Sequence, residues 1–160
     1  PLVLDPVMVA PSGDLLVDEG AQAAIRDRLL PMATLVTPNI PEAERLTGLA
    51  VTDIAGQLEA ANRLIEMGAR AALVKGGHLK GQAVTDVLVS TRGMELFDRP
   101  RLPGRNTHGT GCTLASAIAG LLADGAPLHD AVRRAGVALC QVLRRIVERA
   151  DLVFGAGWPP

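Results

Sequence analysis

The chain has 160 residues, enough for one domain with its own hydrophobic core, and we predict a single domain over residues 1–160. Its formal net charge is −1 and 2% of its residues are aromatic, which excludes the basic surfaces and stacking rings typical of nucleic-acid binding. No apolar run is long enough to cross a bilayer, and Cys112 and Cys140 lack the spacing of a metal or disulfide site. We therefore expect a cytoplasmic protein that binds neither nucleic acid nor membranes.

Three short apolar runs, each ended by polar residues, predict strands that are buried on both faces of a sheet. They cover residues 2–4, 33–36 and 71–74. Further along the chain, residues 86–91 and 94–98 flank Arg92-Gly93, which predicts an antiparallel hairpin. Because strands that alternate with helices form parallel sheets, we expect an α/β fold with a mostly parallel sheet and one antiparallel hairpin.

Helical spacing of apolar residues predicts five helices and the face that each one buries. They begin at an Asp18 N-cap, at Pro41, at a Thr52 N-cap, at Thr110 and near Leu128. The third helix is expected to bury Ile54, Leu58, Ala61 and Ile65. The last helix is expected to bury Val132, Ala135, Leu139, Val142 and Ile146, with His129 at its surface.

A glycine loop at residues 109–112 opens directly into the apolar helix that begins at Thr110. Glycine lets the backbone approach a ligand closely, and the first turn of a helix offers unpaired N–H groups and a partial positive charge. Together these features predict an anion site, most often for phosphate. Cys112 lies in the same field, which is expected to lower its pKa and favour the thiolate.

Polar residues follow each of the three predicted parallel strands. Asp5 follows the first, Asn39 and Glu42 follow the second, and Lys75 and Gly77 follow the third. Ligands of such sheets bind outside the carboxyl ends of the strands, where the glycine loop should also lie. The sequence therefore predicts one site, suited to phosphoryl transfer.

Each group has a predicted role in this site. The transferring phosphate is expected at the backbone amides of Gly109, Thr110, Gly111 and Cys112. Lys75 would offset the charge of nucleotide phosphates, and Cys112 would be the base for the attacking hydroxyl. Asn39, Glu42 and Asp5 offer oxygen atoms suited to Mg²⁺, directly or through water.

The same residues also have ordinary structural interpretations, which the sequence leaves open. Asp5 before a proline can form a turn, and Asn39 before a helix can cap it. Glu42 in a first helical turn can complement the helix dipole, and Lys75 can be a solvated residue at the end of a strand. Their convergence on one edge of the sheet is what favours a functional site.

Four segments resemble the hydroxymethylpyrimidine/phosphomethylpyrimidine kinases of thiamine biosynthesis, which have a ribokinase-like fold. They are LDPVMVAPSGDLL (4–16), TPNIPEAERLTG (37–48), LVKGGH (73–78) and NTHGTGCTLASAIA (106–119), and the resemblance extends over residues 1–153. It implies a three-layer α/β/α kinase that uses ATP and Mg²⁺. It also implies two successive phosphorylations, of 4-amino-5-hydroxymethyl-2-methylpyrimidine and then of its monophosphate, in a protein that often forms a homodimer.

The resemblance also implies site residues. The catalytic group is Gly109, Thr110, Gly111 and Cys112. Nucleotide contacts fall to Lys75, Gly77, Asn39 and Thr107, substrate contacts to Val7, Met8 and Cys112, and metal contacts to Glu42 and Asp5.

One large departure is that the N-terminal part of the family is absent from the chain. Since that part supplies much of the pyrimidine pocket, we expect a longer parent protein and little or no activity in these residues alone. Two alternatives stay open, a pyridoxal or pyridoxine kinase and a non-catalytic fragment. Pyridoxal kinases share the DPVM segment but typically continue it with Gly-Asp and carry Asp at the position of Cys112, which favours the pyrimidine kinase.

Overall fold

The computed structural model describes residues 1–10, 14–101 and 109–154, with 147–154 described by their backbone alone. It contains a five-stranded sheet in the order β1-β2-β3-β4-β5. The strands are β1 (Val3–Leu4), β2 (Leu35–Val36), β3 (Ala71–Val74), β4 (Ala83–Ser90) and β5 (Gly93–Pro100). The first three strands pair in parallel and β4 pairs antiparallel with both of its neighbours, so the predicted parallel sheet with an added hairpin is confirmed.

Five α-helices accompany the sheet in the described part of the chain. They are α1 (Glu19–Ala24), α2 (Ile40–Thr47), α3 (Ile54–Glu66), α4 (Thr110–Ala123) and α5 (Leu128–Phe154). α1 continues through a π-helical turn at Ile25–Leu29 and a 3₁₀ turn at Leu30–Met32. None of the described helices is both long and apolar enough to span a membrane.

Successive strand residues feed two separate cores, which explains why the strands are apolar without alternation. Val36 and Val74 pack in the core beneath α2 and α3, while Leu35 and Leu73 pack in the core beneath α4 and α5. The sheet therefore lies between two helical layers. This arrangement is the three-layer α/β/α fold that the resemblance implied.

Two helix starts show how capping sets the boundaries. The third helix was expected to begin at a Thr52 cap, but its N-cap is Asp53, whose Oδ1 accepts a hydrogen bond from the Gly56 amide at 2.8 Å. The Thr52 prediction is wrong because either residue type can cap and the geometry selects the carboxylate. α1 begins as predicted, with Asp18 Oδ1 accepting from the Ala21 amide at 2.7 Å.

The buried faces of α3 and α5 also differ from prediction. The buried face of α3 comprises Gln57, Ala60, Ala61 and Leu64, and Ile54 is 43% exposed. In α5, Val132, Ala135 and Leu139 are buried as expected, whereas Val142 and Ile146 are more than half exposed. α4 has 14 residues and α5 has 27, and the core that the two helices share includes α5 residues from Leu128 to Leu143.

His129 at the start of α5 is not at the surface, contrary to prediction. Its side chain is 12% exposed. Its Nε2 lies 2.9 Å from Ser90 Oγ, and its Nδ1 lies 2.5 Å from an oxygen of the Glu95 carboxylate. These contacts tie α5 to the hairpin. The predicted turn at Arg92-Gly93 is wrong by one residue: the turn is Thr91-Arg92, because Gly93 already pairs with Ser90.

We predict that Gly76→Ala destabilises the fold, because a Cβ at Gly76 would lie 1.9 Å from the Thr85 carbonyl oxygen. The expected loss is about 3 kcal/mol, since the strand would have to move. Gly77→Ala is the matched control, because a Cβ at Gly77 has no atom within 4 Å. The measurement is the midpoint of urea unfolding, and equal midpoints for the two variants would contradict the close approach.

Candidate active site

A largely buried ion pair joins the ends of β1 and β3. Asp5 follows β1, and its Oδ1 lies 2.9 Å from Lys75 Nζ, which follows β3. The side chains are 14% and 11% exposed. The Thr37 hydroxyl, at the end of the intervening strand β2, donates to the same Oδ1 at 3.1 Å. Three neighbouring strand ends therefore contribute to one polar cluster. The predicted meeting of Asp5 and Lys75 is confirmed, whereas Thr37 was not among the predicted site residues.

The second oxygen of Asp5, Oδ2, is buried and has no hydrogen-bond partner among the described residues. A buried carboxylate oxygen without a partner is costly, so it marks a position where a further donor or a cation would bind favourably.

Lys75 also meets the N-terminal turn of α4. A Cβ built at Gly111 would lie 2.9 Å from Lys75 Nζ, so the ammonium occupies the space that glycine leaves free. The Lys75 amide donates to the Pro38 carbonyl at 2.9 Å, which holds the strand end in place. The expectation that Lys75 and the glycine loop share one edge of the sheet is confirmed.

The glycine loop turns into α4 at Gly109, which has a left-handed φ of +78° and is the N-cap. A glycine cap has no side-chain oxygen to accept from the first-turn amides, so an anion can take that place. The helix continues through Thr110 and Gly111 to Cys112, and the Thr113 amide donates to the Gly109 carbonyl at 2.9 Å. Thr107, predicted to contact the nucleotide, lies outside the described residues.

Asn39 and Glu42 cap α2 reciprocally. Asn39 Oδ1 accepts from the Glu42 amide at 2.9 Å, and Glu42 Oε2 accepts from the Asn39 amide at 2.7 Å. Glu42 is 3% exposed, and burial raises the pKa of its carboxyl against the opposing effects of the Asn39 amide and the Lys75 charge. The capping interpretation of Asn39 is therefore confirmed, and Glu42 takes part in the same cap, which was not predicted. The cap places the Glu42 carboxylate where the charges of Lys75 and Asp5 act on it.

Cys112 is exposed, and its thiol faces the Asp5 carboxylate. A hydrogen bond between the thiol and that carboxylate is the main cause of a raised pKa for Cys112, followed by partial burial and the negative charge of Asp5, while Lys75 acts in the opposite direction. The predicted lowering of the pKa is wrong, because it took account of the helix terminus and not of the carboxylate that the fold brings alongside.

The two residues predicted to contact the substrate lie in different environments. Val7 is 40% exposed, and its amide donates to the Asp5 carbonyl at 2.9 Å. Met8 is fully buried and packs in the core beneath α2 and α3. The exposed side chain close to Asp5 is therefore that of Val7.

Gly77 belongs to a loop that is held by Arg101, a residue without any sequence signal. The Arg101 guanidinium donates to the carbonyls of Gly77 at 2.9 Å and Gly81 at 2.8 Å, and also to the Leu79 carbonyl. Burial and the charges of Lys75 and Arg101 lower the pKa of His78 in the same loop. A charge pattern cannot reveal such a contact, because backbone carbonyls have no signature in a sequence.

The donor atoms near Asp5 fit a magnesium ion that is held mainly by water and by nucleotide oxygens. Among the described residues, no group of three or more His, Cys, Asp or Glu side chains converges on one point. Asp5 Oδ2 is available, whereas one oxygen of Glu42 is used in capping α2. Mg²⁺ in proteins usually binds one or two carboxylates and retains several waters. Asp5 and Glu42 can supply those carboxylates.

The sequence profile of the family described as phosphomethylpyrimidine kinase matches residues 1–154. The thiamine biosynthesis bifunctional protein ThiED of Geobacter sulfurreducens is 53% identical over 134 residues, which are 84% of this chain and 27% of that protein. The hydroxymethylpyrimidine/phosphomethylpyrimidine kinase of Rhizobium meliloti is 49% identical over 156 residues, which are 97% of this chain and 58% of that protein. The chain thus spans between about a quarter and three fifths of these two relatives.

Solved structures of related kinases have the same fold. The phosphomethylpyrimidine kinase of Clostridium difficile superposes with a TM-score of 0.76 at 32% identity, over 88% of this chain and 56% of that one. The pyridoxal kinase of Staphylococcus aureus, solved with AMP-PCP, superposes with a TM-score of 0.76 at 34% identity, over 84% of this chain and 49% of that one. With the profile match over nearly its whole length, the chain belongs to the phosphomethylpyrimidine kinase family.

Proposed function

We propose that the chain forms the phosphate-binding part of an ATP-dependent kinase of thiamine biosynthesis. The kinase phosphorylates the hydroxymethyl group of 4-amino-5-hydroxymethyl-2-methylpyrimidine and then the resulting monophosphate. The names of the relatives support this substrate. The observation that carries the proposal is the position of Lys75 Nζ, between the Asp5 carboxylate and the N-terminal turn of α4 at Gly111.

The charges of this site suit a transferring phosphoryl group. The first-turn amides at residues 109–112 receive the negative oxygens, and the Lys75 ammonium neutralises charge on the nucleotide phosphates. Because Lys75 is 11% exposed on its side chain, water screens this interaction less than it would at an open surface. Positioning and electrostatic stabilisation of this kind supply most of the catalysis in phosphoryl transfer.

Cys112 is the proposed proton acceptor for the substrate hydroxyl. Its raised pKa makes the thiolate scarce at neutral pH, and Lys75 opposes that effect. Only the thiolate form of Cys112 can accept that proton. Because phosphoryl transfer through a loose transition state demands little from a base, a small thiolate population suffices. The second transfer needs still less, since the attacking phosphate oxygen is already anionic. A fixed carboxylate in place of Cys112 would repel that phosphorylated substrate.

Asp5 is the proposed direct contact to magnesium through Oδ2, with Glu42 acting through water. The ion would neutralise charge on the nucleotide phosphates. Asp5 Oδ1 meanwhile holds Lys75, so one carboxylate orients the lysine and provides an oxygen for the cation. Asn39, which caps α2, places the Glu42 carboxylate at this end of the cluster.

A second candidate substrate is pyridoxal, because solved neighbours of similar fold are named pyridoxal kinases, one of them solved with pyridoxal. The chain spans 27% and 58% of the two curated relatives. We propose that the ring-binding pocket is built mainly outside this chain, and that these 160 residues alone transfer phosphate poorly.

The first prediction is that this chain phosphorylates the hydroxymethylpyrimidine at least about 100-fold more slowly than an N-terminally extended form does, since one substrate lacks its positioning contacts. The measurement is ADP release with magnesium ATP. The complete kinase of Rhizobium meliloti is the positive control. Comparable rates in the short and extended chains would contradict the proposal, and a preference of the extended form for pyridoxal would favour the second candidate.

A second prediction concerns Gly111→Ala, whose methyl group would displace the Lys75 ammonium. We expect AMP-PCP to bind about tenfold more weakly, the loss of roughly one charge-assisted hydrogen bond. Gly120→Ala, later in the same helix, is the control because its Cβ has no atom within 4 Å. Titration calorimetry measures both variants. Equal affinities would show that the contact between Lys75 and α4 plays no part in nucleotide binding.

A third prediction follows from the raised pKa of Cys112. In a Cys140→Ser background without metal, alkylation of Cys112 by iodoacetamide should reach half its maximal rate at a pH above the ordinary thiol value. Asp5→Asn should shift that midpoint downward, because it removes the carboxylate that accepts from the thiol and repels the thiolate, and leaves the Lys75 charge in place. Asp53→Asn is the control, because Asp53 is not among the groups that shift the pKa of Cys112. A midpoint that Asp5→Asn leaves unchanged, or raises, would refute the assigned cause.

A further inference from the structure

β3 and β4 separate immediately before Lys75. Their last paired residues are Val74 and Val87. Lys75, the next residue, pairs instead with Asn39. At the point of separation Gly76 passes so close to the Thr85 carbonyl that only glycine fits. The direction of the chain at Lys75 therefore depends on the contacts that hold β3 and β4 at this point.

Gln57 of α3 bridges the two separating strands. It is fully buried, and its Nε2 donates to the Val74 carbonyl of β3 and the Thr85 carbonyl of β4, each at 3.0 Å. Its Oε1 is buried without a hydrogen-bond partner in the described chain. An apolar residue would avoid that cost, so the two bonds made by Nε2 are what the glutamine contributes.

Asp86 of β4 holds Gly76, the residue that follows Lys75. It is 2% exposed, and its Oδ1 accepts from the Gly76 amide at 2.9 Å. The Arg99 guanidinium pairs with both oxygens of this carboxylate, which holds the carboxylate in place. The oxygen that accepts from the Gly76 amide is therefore itself fixed by Arg99.

We infer that Gln57 and Asp86 are positioning residues that fix the direction in which Lys75 leaves β3, toward Asp5 and the N-terminal turn of α4. Neither side chain is among the groups assigned to the phosphate or the substrate. They act on the backbone on both sides of Lys75, through the Val74 carbonyl and the Gly76 amide. The inference rests on the proposed role of Lys75 in nucleotide binding.

Hydrogen exchange tests the positioning directly, without any need for nucleotide. In Gln57→Met, which keeps the volume and removes both donors, we expect the Lys75 and Gly76 amides to exchange about tenfold faster relative to Leu73. Leu64→Met on the same face of α3 is the control for general loosening of the core. A uniform change across β3 in Gln57→Met would overturn the inference.

Nucleotide affinity then tests the consequence. Gln57→Met should bind AMP-PCP about tenfold more weakly, while Leu64→Met should stay within about twofold of the parent chain. Equal weakening in both variants would also overturn the inference. If the parent chain binds no AMP-PCP, the proposed function fails for this chain alone, whereas the exchange measurement still decides whether the backbone is held as described.

Variants of Asp86 provide an independent arm if Gln57→Met does not fold. Asp86→Ala removes the acceptor of the Gly76 amide, so that amide should lose protection about tenfold relative to Leu73. Asp86→Asn retains an acceptor oxygen and should restore most of the protection, although it weakens the pair with Arg99. If Asp86→Asn did not restore protection, Asp86 would act only as the partner of Arg99, and its assignment as a positioning residue would be wrong.

Discussion

The ion pair between Asp5 and Lys75 is the interaction on which the rest of the site depends. It joins the ends of β1 and β3 across β2, and both of its side chains are largely removed from water. A buried pair is stabilising only when its remaining hydrogen-bonding capacity is used. Here Thr37 takes part of that capacity, and the unsatisfied Oδ2 leaves the rest for a ligand.

The surrounding residues are constrained by the space and charge of that pair. The Lys75 ammonium lies within 2.9 Å of the position that a Cβ at Gly111 would take, so a larger residue there would displace the ammonium. The Asp5 carboxylate beside Cys112 raises the pKa of its thiol. Glu42 is buried in the cap of α2, where burial favours its protonated form. The raised pKa values of Cys112 and Glu42 thus limit the negative charge of the cluster around Lys75.

Much of this arrangement could be predicted from local patterns. Short apolar strands ended by polar residues predict a parallel sheet, and the sheet places Asp5, Asn39 and Lys75 at one edge. What could not be predicted are contacts between distant parts of the chain. The raised pKa of Cys112 depends on a residue 107 positions earlier, and Gln57 looks like a polar interruption of a helix until β4 supplies its acceptor. His129 likewise gains its partners only from the hairpin.

The order of the sheet has one more consequence. β1 lies at an edge of the described sheet, with β2 as its pairing partner, and Asp5 follows it directly. Any strand added on the free side would run about 4.8 Å from β1. If it ran parallel to β1, it would end next to the Asp5 carboxylate. A polypeptide that paired with β1 in this way would thus form a wall beside the Asp5 carboxylate and the ion pair that it makes with Lys75.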